Sequence, residues 1–93
     1  MIFVVTHEHT AESCPADNPT MVVQTVDEKH IAECGVKVLG AYVAPAEHTL
    51  YYVLEADDYS QVVRYLRPLM PIGTADIVPV QTIQEAAGIF PTR

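Results

Sequence analysis

The first strand of the chain constrains the fold more than any other segment. Residues 2–6 read IFVVT, a β-branched and aromatic run that is apolar at both odd and even positions. Apolar side chains on both sides are typical of a strand that is buried on both faces of a sheet. We therefore expect this strand to lie in the centre of a sheet.

Two further regions carry the signals of a helix and of a β-hairpin. Pro19 is suited to the first position of a helix, and Gly35 can adopt the left-handed conformation that ends one, so one helix is predicted over residues 19–34. Residues 36–43 and 48–55 favour strands, and only a short connection separates them. They are predicted to pair as a β-hairpin.

A second helix and a last strand complete the pattern. Asp57 is predicted to cap a helix that ends before Pro68, because the residue before a proline is pushed out of the α region. The inner face of this helix is predicted to consist of Tyr59, Val62, Val63 and Leu66. Residues 74–83 favour a strand that contains Pro79. Since a proline is tolerated at the edge of a sheet but not in its centre, this strand is expected at an edge.

The resulting order, β-α-β-β-α-β, is the split βαβ or ferredoxin-like arrangement, an α+β fold. Its four-stranded antiparallel sheet has the order 4-1-3-2, which places the first strand inside and the proline-containing strand at an edge. A chain of 93 residues has room for one such core. We expect a single domain over residues 1–83 and a C-terminal tail over residues 84–93.

One face of this sheet requires a partner. The two helices cover a single face, whereas the predicted strands carry apolar side chains on both. The apolar fraction of the chain, 49%, agrees with a second buried face. We therefore expect a homodimer that packs sheet against sheet, a dimeric α+β barrel.

Three segments carry a resemblance to known proteins: IFVVTHEHT, ESCP and PAEHTLYYVLEADD. In these segments the chain resembles short uncharacterised members of the small stand-alone ferredoxin-like proteins, within the dimeric α+β barrel group. The resemblance extends over roughly residues 1–83 and implies the fold and the sheet-to-sheet dimer. The larger group includes haem-degrading and quinol-type monooxygenases, isomerases, decarboxylases and ligand sensors, so it does not select one chemistry.

The charge balance excludes several partners. Twelve acidic residues against five Lys and Arg give a formal net charge of −7. This charge opposes binding to nucleic acid and to anionic membrane surfaces, since both need clustered cations. No segment approaches the ~20 apolar residues that cross a bilayer, and the first residues do not form a signal peptide. We expect a cytoplasmic protein in which Cys14 and Cys34 are thiols or metal ligands.

Histidines form the clearest candidate site. His7 and His9 alternate at the end of the first strand, so their rings are predicted to project to the same side. The third strand runs antiparallel to the first and brings His48 to the same end. Cys14 lies in the loop that leaves this end and can supply a thiolate. Three imidazoles and one thiolate suit Zn²⁺, and also copper or Fe(II).

Polar residues are predicted around this site. From the alternation of its strand, Tyr42 is expected to face the same side as the histidines near their end of the sheet. It is the predicted pocket residue. Acidic side chains near the end of the sheet can orient the histidine rings by accepting hydrogen bonds. These acidic residues are Glu8, Glu12, Glu47 and Asp76.

His30 and Cys34 form a second pair, four residues apart on one face of the first helix. They continue the apolar stripe of that helix, which favours a core histidine and a buried small side chain over a pair of ligands. The predicted topology also places them at the opposite end of the sheet from His7 and His9.

The leading hypothesis from the sequence is a small cytoplasmic protein that binds a divalent transition metal, Zn²⁺ before copper or iron. One alternative is a metal-free monooxygenase- or isomerase-like enzyme, with a histidine as general base on a small organic substrate. Another is a ligand-sensing or interaction module whose histidines are solvated residues at a strand end. The sequence contains no phosphate-binding glycine loop, nucleophile elbow or Cys-x-x-Cys motif.

Overall fold

The computed structural model describes residues 1–89. Its strands are β1 (Ile2–His9), β2 (Lys37–Ala44), β3 (Thr49–Glu55) and β4 (Gly73–Val80). Its α-helices are α1 (Thr20–Gln24), α2 (Glu28–Cys34), α3 (Tyr59–Leu66) and α4 (Ile83–Ala87). Short 3-10 helices occupy Pro15–Asp17, Pro45–Glu47 and Arg67–Ile72. In these 89 residues, no helix combines the length and the apolar character that a membrane span requires.

The four strands form one open antiparallel sheet in the order β2-β3-β1-β4. Read from its other edge, this sheet is 4-1-3-2, so each strand has the neighbours that the sequence predicts. β1 lies inside the sheet, and β4 with Pro79 lies at an edge. The order of elements is consistent with a ferredoxin-like α+β arrangement.

The core lies on one face of the sheet. In β1, Phe3, Val5 and His7 are buried, whereas Val4 and Glu8 between them are exposed. The buried strand residues pack with side chains from α2, α3 and the 3-10 helix that follows it. The apolar core consists of Phe3, Val5, Cys34, Val36, Leu50, Tyr52, Leu54, Ala56, Val62, Tyr65, Leu66 and Leu69.

The single helix predicted over residues 19–34 is wrong, because the chain breaks between α1 and α2. Thr25, which is fully buried, explains the break. Its hydroxyl donates to the Val22 carbonyl at 2.6 Å and lies 2.8 Å from the Tyr52 hydroxyl. Its own carbonyl accepts a hydrogen bond from the Tyr65 hydroxyl. These hydrogen bonds hold Thr25 against β3 and α3, and Asp27, two residues later, has an extended backbone with a φ of −74° and a ψ of 129°, so the first helix ends and a second one begins.

The ends of α2 follow from its sequence. The Asp27 side chain accepts a hydrogen bond from the His30 N–H and caps the first turn. Gly35 ends the helix with a φ of 71°, in the left-handed region, as predicted.

The second half of the chain differs from the sequence prediction at three points. Asp58, rather than Asp57, caps α3 by accepting from the Gln61 N–H. Tyr59 was expected on the inner face of this helix but is exposed, and Tyr65 is buried instead. The last strand ends at Val80, and α4 begins in the segment that was predicted to be strand and tail. The remainder of the tail, residues 90–93, lies outside the described residues.

Candidate metal centre

β1 places His7 and His9 on the face of the sheet that the helices cover. His7 is paired with Leu50 of β3 and Ala75 of β4 and is 1% exposed. His9, the last residue of the strand, is half-buried. The centres of the two rings are 6.1 Å apart. The rings therefore share one side, as the alternation of the strand predicts.

The turn before β3 brings His48 to the same end. Its backbone carbonyl accepts a hydrogen bond from the N–H of His9 at 3.1 Å. The rings of His9 and His48 meet edge to face, with their centres 5.4 Å apart. His48 has a φ of 53°, the one positive value outside glycine in the described part of the chain. Side chains other than glycine rarely adopt this conformation, so the turn holds the histidine at some conformational cost.

Cys14 lies in the loop that leaves β1 and completes a cluster of three residues. Two hydrogen bonds between Thr10 and Ser13 fold this loop, from the Thr10 N–H to the Ser13 hydroxyl at 3.0 Å and from the Ser13 N–H to the Thr10 hydroxyl at 3.2 Å. One donor atom each from His9, Cys14 and His48 lies within 4.8 Å of the others. The end of β1, the loop that follows it and the turn before β3 thus bring together atoms of the kinds that bind metal ions.

His7, His9 and His48 form what we term the histidine cluster, and most of its buried ring nitrogens have no hydrogen-bond partner within residues 1–89. They are Nδ1 of His7, both ring nitrogens of His9 and Nδ1 of His48. Leaving a buried polar atom unpaired costs about 1–3 kcal/mol, so several at one place are unusual. By contrast, Nε2 of His30, outside the cluster, is 2.8 Å from the Tyr65 carbonyl oxygen. These nitrogens of the histidine cluster are therefore not engaged by the described part of the chain.

The His9 ring is held in the neutral form. Burial lowers the pKa of His9, and the neighbouring His48 and His7 rings lower it further by charge repulsion. A neutral imidazole keeps a lone pair on one nitrogen, which is the form that binds a metal ion. At neutral pH, a cation at this site therefore does not have to displace a proton from His9.

His7 is fixed in one orientation by the backbone. Its Nε2 lies 2.9 Å from the Leu69 carbonyl oxygen. A carbonyl can only accept a hydrogen bond, so Nε2 carries the proton and Nδ1 keeps the lone pair. A bond from one ring nitrogen to a backbone carbonyl is the usual way in which metal-binding histidines are oriented. His7 is not part of the group formed by His9, Cys14 and His48, and its Nδ1 has no partner among the described residues.

The predicted carboxylates do not surround this cluster. Glu8 is exposed on the opposite face of the sheet, because it stands between two residues that face the helices. Asp76 pairs with Thr6 and therefore lies on that opposite face as well. Glu12 and Glu47 are exposed, and neither bonds to the unpaired nitrogens of the cluster. Of these four, none orients a histidine ring in the structure.

Tyr42 also lies on the opposite face. It pairs with Tyr51 of β3, and its ring covers Gly40, where an added Cβ would meet the Tyr42 ring at 2.7 Å. The register of β2 shifts at a bulge between Val38 and Gly40. The extra residue reverses which side chains of β2 face the helices in the rest of the strand. Counting alternate residues without the bulge therefore places Tyr42 on the helix-covered face, which is the wrong one. Tyr42 does not line the histidine cluster.

The pair of His30 and Cys34 is a packing feature, as the sequence indicates. The Cys34 sulfur is 3.9 Å from Nε2 of His30 and is buried in the core. Burial raises the pKa of the Cys34 thiol, which keeps it protonated and unreactive. Both Cys14 and Cys34 are free cysteines.

Two residues near the histidines were not singled out from the sequence. Leu69 orients His7 through its backbone carbonyl, a role that its side chain does not reveal. Gly73 pairs with His9 across β1 and β4, and a Cβ at this position would lie 2.9 Å from Cε1 of His7. Its sequence neighbours, Pro71 and Ile72, suggested only a turn.

Comparisons with known proteins identify the family of the chain. Residues 1–92 match the model of DUF3303, a domain of unknown function. A comparison with curated proteins found no match. Because the family match covers almost the whole sequence, including every residue of the histidine cluster, the chain belongs to the DUF3303 family.

Proposed function

We propose that the protein binds one divalent transition metal ion, with Zn²⁺ preferred over copper and iron, through His9, Cys14 and His48. One observation carries this proposal: three donor atoms from separate segments lie within 4.8 Å of one another, and the buried ring nitrogens among them have no other partner. A bound ion would pair one nitrogen of His9 and one of His48 and so reduce the cost of these unpaired atoms.

The spacing of the rings supports a shared ion. With Zn–N bonds of ~2.1 Å, two imidazoles on one tetrahedral ion have their centres roughly 5–6 Å apart. The centres of His9 and His48 are 5.4 Å apart. Two nitrogens and one sulfur are a donor set that tetrahedral Zn²⁺ commonly takes, whereas Mg²⁺ and Ca²⁺ require oxygen ligands.

The ligand in the fourth coordination position of the ion decides between a structural and a catalytic role. Nδ1 of His7 is the buried ring nitrogen outside the group of three that has no partner among the described residues. If it binds the ion, the site is closed and structural; if it does not, a water molecule takes the fourth position and the ion can polarise it for chemistry. A free Cys14 thiol also requires a reducing environment, which is why we propose a cytoplasmic location.

Cobalt substitution tests the site directly. We expect about one Co²⁺ per chain, with the intense visible bands of a tetrahedral ion and a near-ultraviolet band from charge transfer between thiolate and cobalt. Cys14→Ser should remove the charge-transfer band. The matched control, Cys34→Ser, should keep it, because Cys34 lies buried in the core. A charge-transfer band that persists in Cys14→Ser, or no binding of either Co²⁺ or Zn²⁺, would exclude this site.

We further propose that two copies associate through the face of the sheet that the helices leave uncovered. Large side chains on this face are solvent-exposed: Val4 by 37%, Tyr42 by 64%, Tyr51 by 36% and Val78 by 51%. They lie on adjacent strands, since Val4 pairs with Val78 and Tyr42 pairs with Tyr51. An apolar patch of this kind in an acidic protein favours self-association over binding to an anionic surface.

Sedimentation equilibrium at micromolar concentration measures this association. We expect twice the chain mass of 10.2 kDa. Val4→Lys should restore the monomer, because a charge in the centre of the interface would be buried without a partner. Val23→Lys, at an exposed valine of α1 on the helix-covered side, is the matched control and should remain dimeric. A wild-type protein that sediments as a monomer would contradict the proposal.

A further inference from the structure

Two adjoining cavities lie between α3, the 3-10 helix Arg67–Ile72 and β4. Their volumes are about 330 and 260 Å³, and Tyr59, Val63 and Met70 line both of them. Together they form what we term the α3 groove. Small-molecule sites in proteins are concave and mostly apolar, with volumes from ~300 Å³ upward. The groove therefore has room for one small organic molecule.

The walls of the α3 groove carry large side chains that the core does not use. Tyr59 and Met70 are 59% and 48% exposed, although both belong to elements that pack on the core. Tyr59 begins α3, and Met70 lies in the following 3-10 helix. An aromatic ring and a flexible thioether on two walls of one groove are suited to enclose an apolar body.

The outer end of the α3 groove is positively charged. Arg64 and Arg67 line this end, three residues apart, and both are exposed. They account for two of the five Lys and Arg in a chain with twelve acidic residues. Among the described residues, no acidic side chain lines either cavity. Guanidinium groups bind carboxylates through paired hydrogen bonds, so this end favours a carboxylate.

The inner end of the α3 groove reaches His7. Gly73 and Ala75 of β4 line the groove here, and their small side chains leave the space beside the His7 ring open. His7 itself is 1% exposed, so its ring forms a buried wall at this end, whereas Ala75 is exposed. Because no cation lines the inner end, it suits the apolar end of a ligand and not a second carboxylate.

From this arrangement we infer that the α3 groove binds a small monocarboxylate with an aromatic or branched aliphatic body. The carboxylate is bound by Arg64 and Arg67, and the body lies between Tyr59, Val63 and Met70. The site is separate from the proposed metal centre and does not require its ion, although His7 stands between the two.

Phenylacetate is a suitable probe, and phenylacetamide is its uncharged counterpart. Both are titrated into uniformly ¹⁵N-labelled protein in the presence of EDTA, and amide chemical shifts are followed by NMR. We expect saturable shifts for phenylacetate in α3, residues 67–72 and β4. The amide should bind at least about tenfold more weakly, because it lacks the charge that the arginines recognise.

Three variants separate charge from shape. Arg64→Gln combined with Arg67→Gln should weaken phenylacetate binding about tenfold or more, yet leave phenylacetamide unchanged. Lys37→Gln, which removes an exposed cation on β2, is the matched control and should bind like the wild type. Val63→Phe should block both compounds by filling the groove. The dispersion of each spectrum shows that the variant is folded.

Several outcomes would overturn the inference. One is that phenylacetate and phenylacetamide bind equally well. Another is that Lys37→Gln and the arginine variant lose the same affinity for phenylacetate. A third is that phenylacetate causes no saturable chemical-shift changes. Binding of phenylacetate only after Zn²⁺ is added would place the carboxylate on the ion instead of the arginines and would also overturn it. None of these results bears on cobalt binding, so the groove and the metal centre fail independently.

Discussion

His9→Ala is expected to weaken Zn²⁺ binding by about 10²-fold or more. Structural zinc sites with four ligands bind with roughly 10–16 kcal/mol, so the loss of one ligand removes roughly 3 kcal/mol. His9 has the central position of the cluster, since its ring lies 6.1 Å from the His7 ring and 5.4 Å from the His48 ring. Competition with a chromophoric chelator at neutral pH measures the change in affinity.

His30→Ala is the matched control, because both residues are half-buried histidines and only one belongs to the cluster. The His30 variant should keep its affinity for Zn²⁺ but lose stability without metal, since Nε2 of His30 is bonded to the Tyr65 carbonyl. The His9 variant should lose affinity for Zn²⁺ but keep its stability without metal, because the His9 ring nitrogens bond to none of the residues that the structure describes. If the two variants lost affinity equally, the histidine cluster would not be the metal site.

The backbone at His48 agrees with a role of its side chain in binding. A residue with a φ of 53° is most easily accommodated as glycine or asparagine. A histidine here gains no hydrogen bond for Nδ1 and is only half-buried. Stability of the chain alone does not explain this residue, whereas the metal ion that we propose would.

The sheet could be predicted from the sequence because its strongest signals are local. Residues 2–6 carry apolar side chains on both faces, which places the first strand inside the sheet. Pro79, within the last strand, places that strand at an edge. The meeting of His7 and His9 with His48 then follows from antiparallel pairing alone. The sequence could also have excluded Glu8 from this site, since a residue between two histidines of a strand faces away from both.

The break at Thr25 and the placement of Tyr42 could not be predicted in this way. The break depends on hydrogen bonds to Tyr52 and Tyr65, which are 27 and 40 residues away in the chain. Nothing near Thr25 in sequence indicates such partners. Tyr42 changes face because of a bulge before it, and a bulge is a property of the pairing of two strands and not of either one.

Of the substitutions proposed here, Gly73→Ala is expected to lower the free energy of unfolding most, by about 3 kcal/mol or more, with a fall in Tm of roughly 10–20 °C. A Cβ built on Gly73 lies 2.0 Å from the backbone oxygen of Glu8 and 2.9 Å from Cε1 of His7. Neither neighbour can yield freely, since one is the backbone of β1 and the other is a ring fixed to the Leu69 carbonyl. Thermal unfolding of the metal-free variant measures the loss.

Gly88→Ala is the control for this substitution, because a Cβ there would lie 3.4 Å from the nearest atom and the residue has a φ of −71°. It should change stability by less than about 0.5 kcal/mol. Gly73→Ala should also weaken Zn²⁺ binding, since Gly73 pairs with His9 and any displacement of β4 moves the end of β1. If the Gly73 variant unfolded at the same temperature as the wild type, the start of β4 would have to lie farther from β1. Gly73 would then not form a wall of the cavity beside His7.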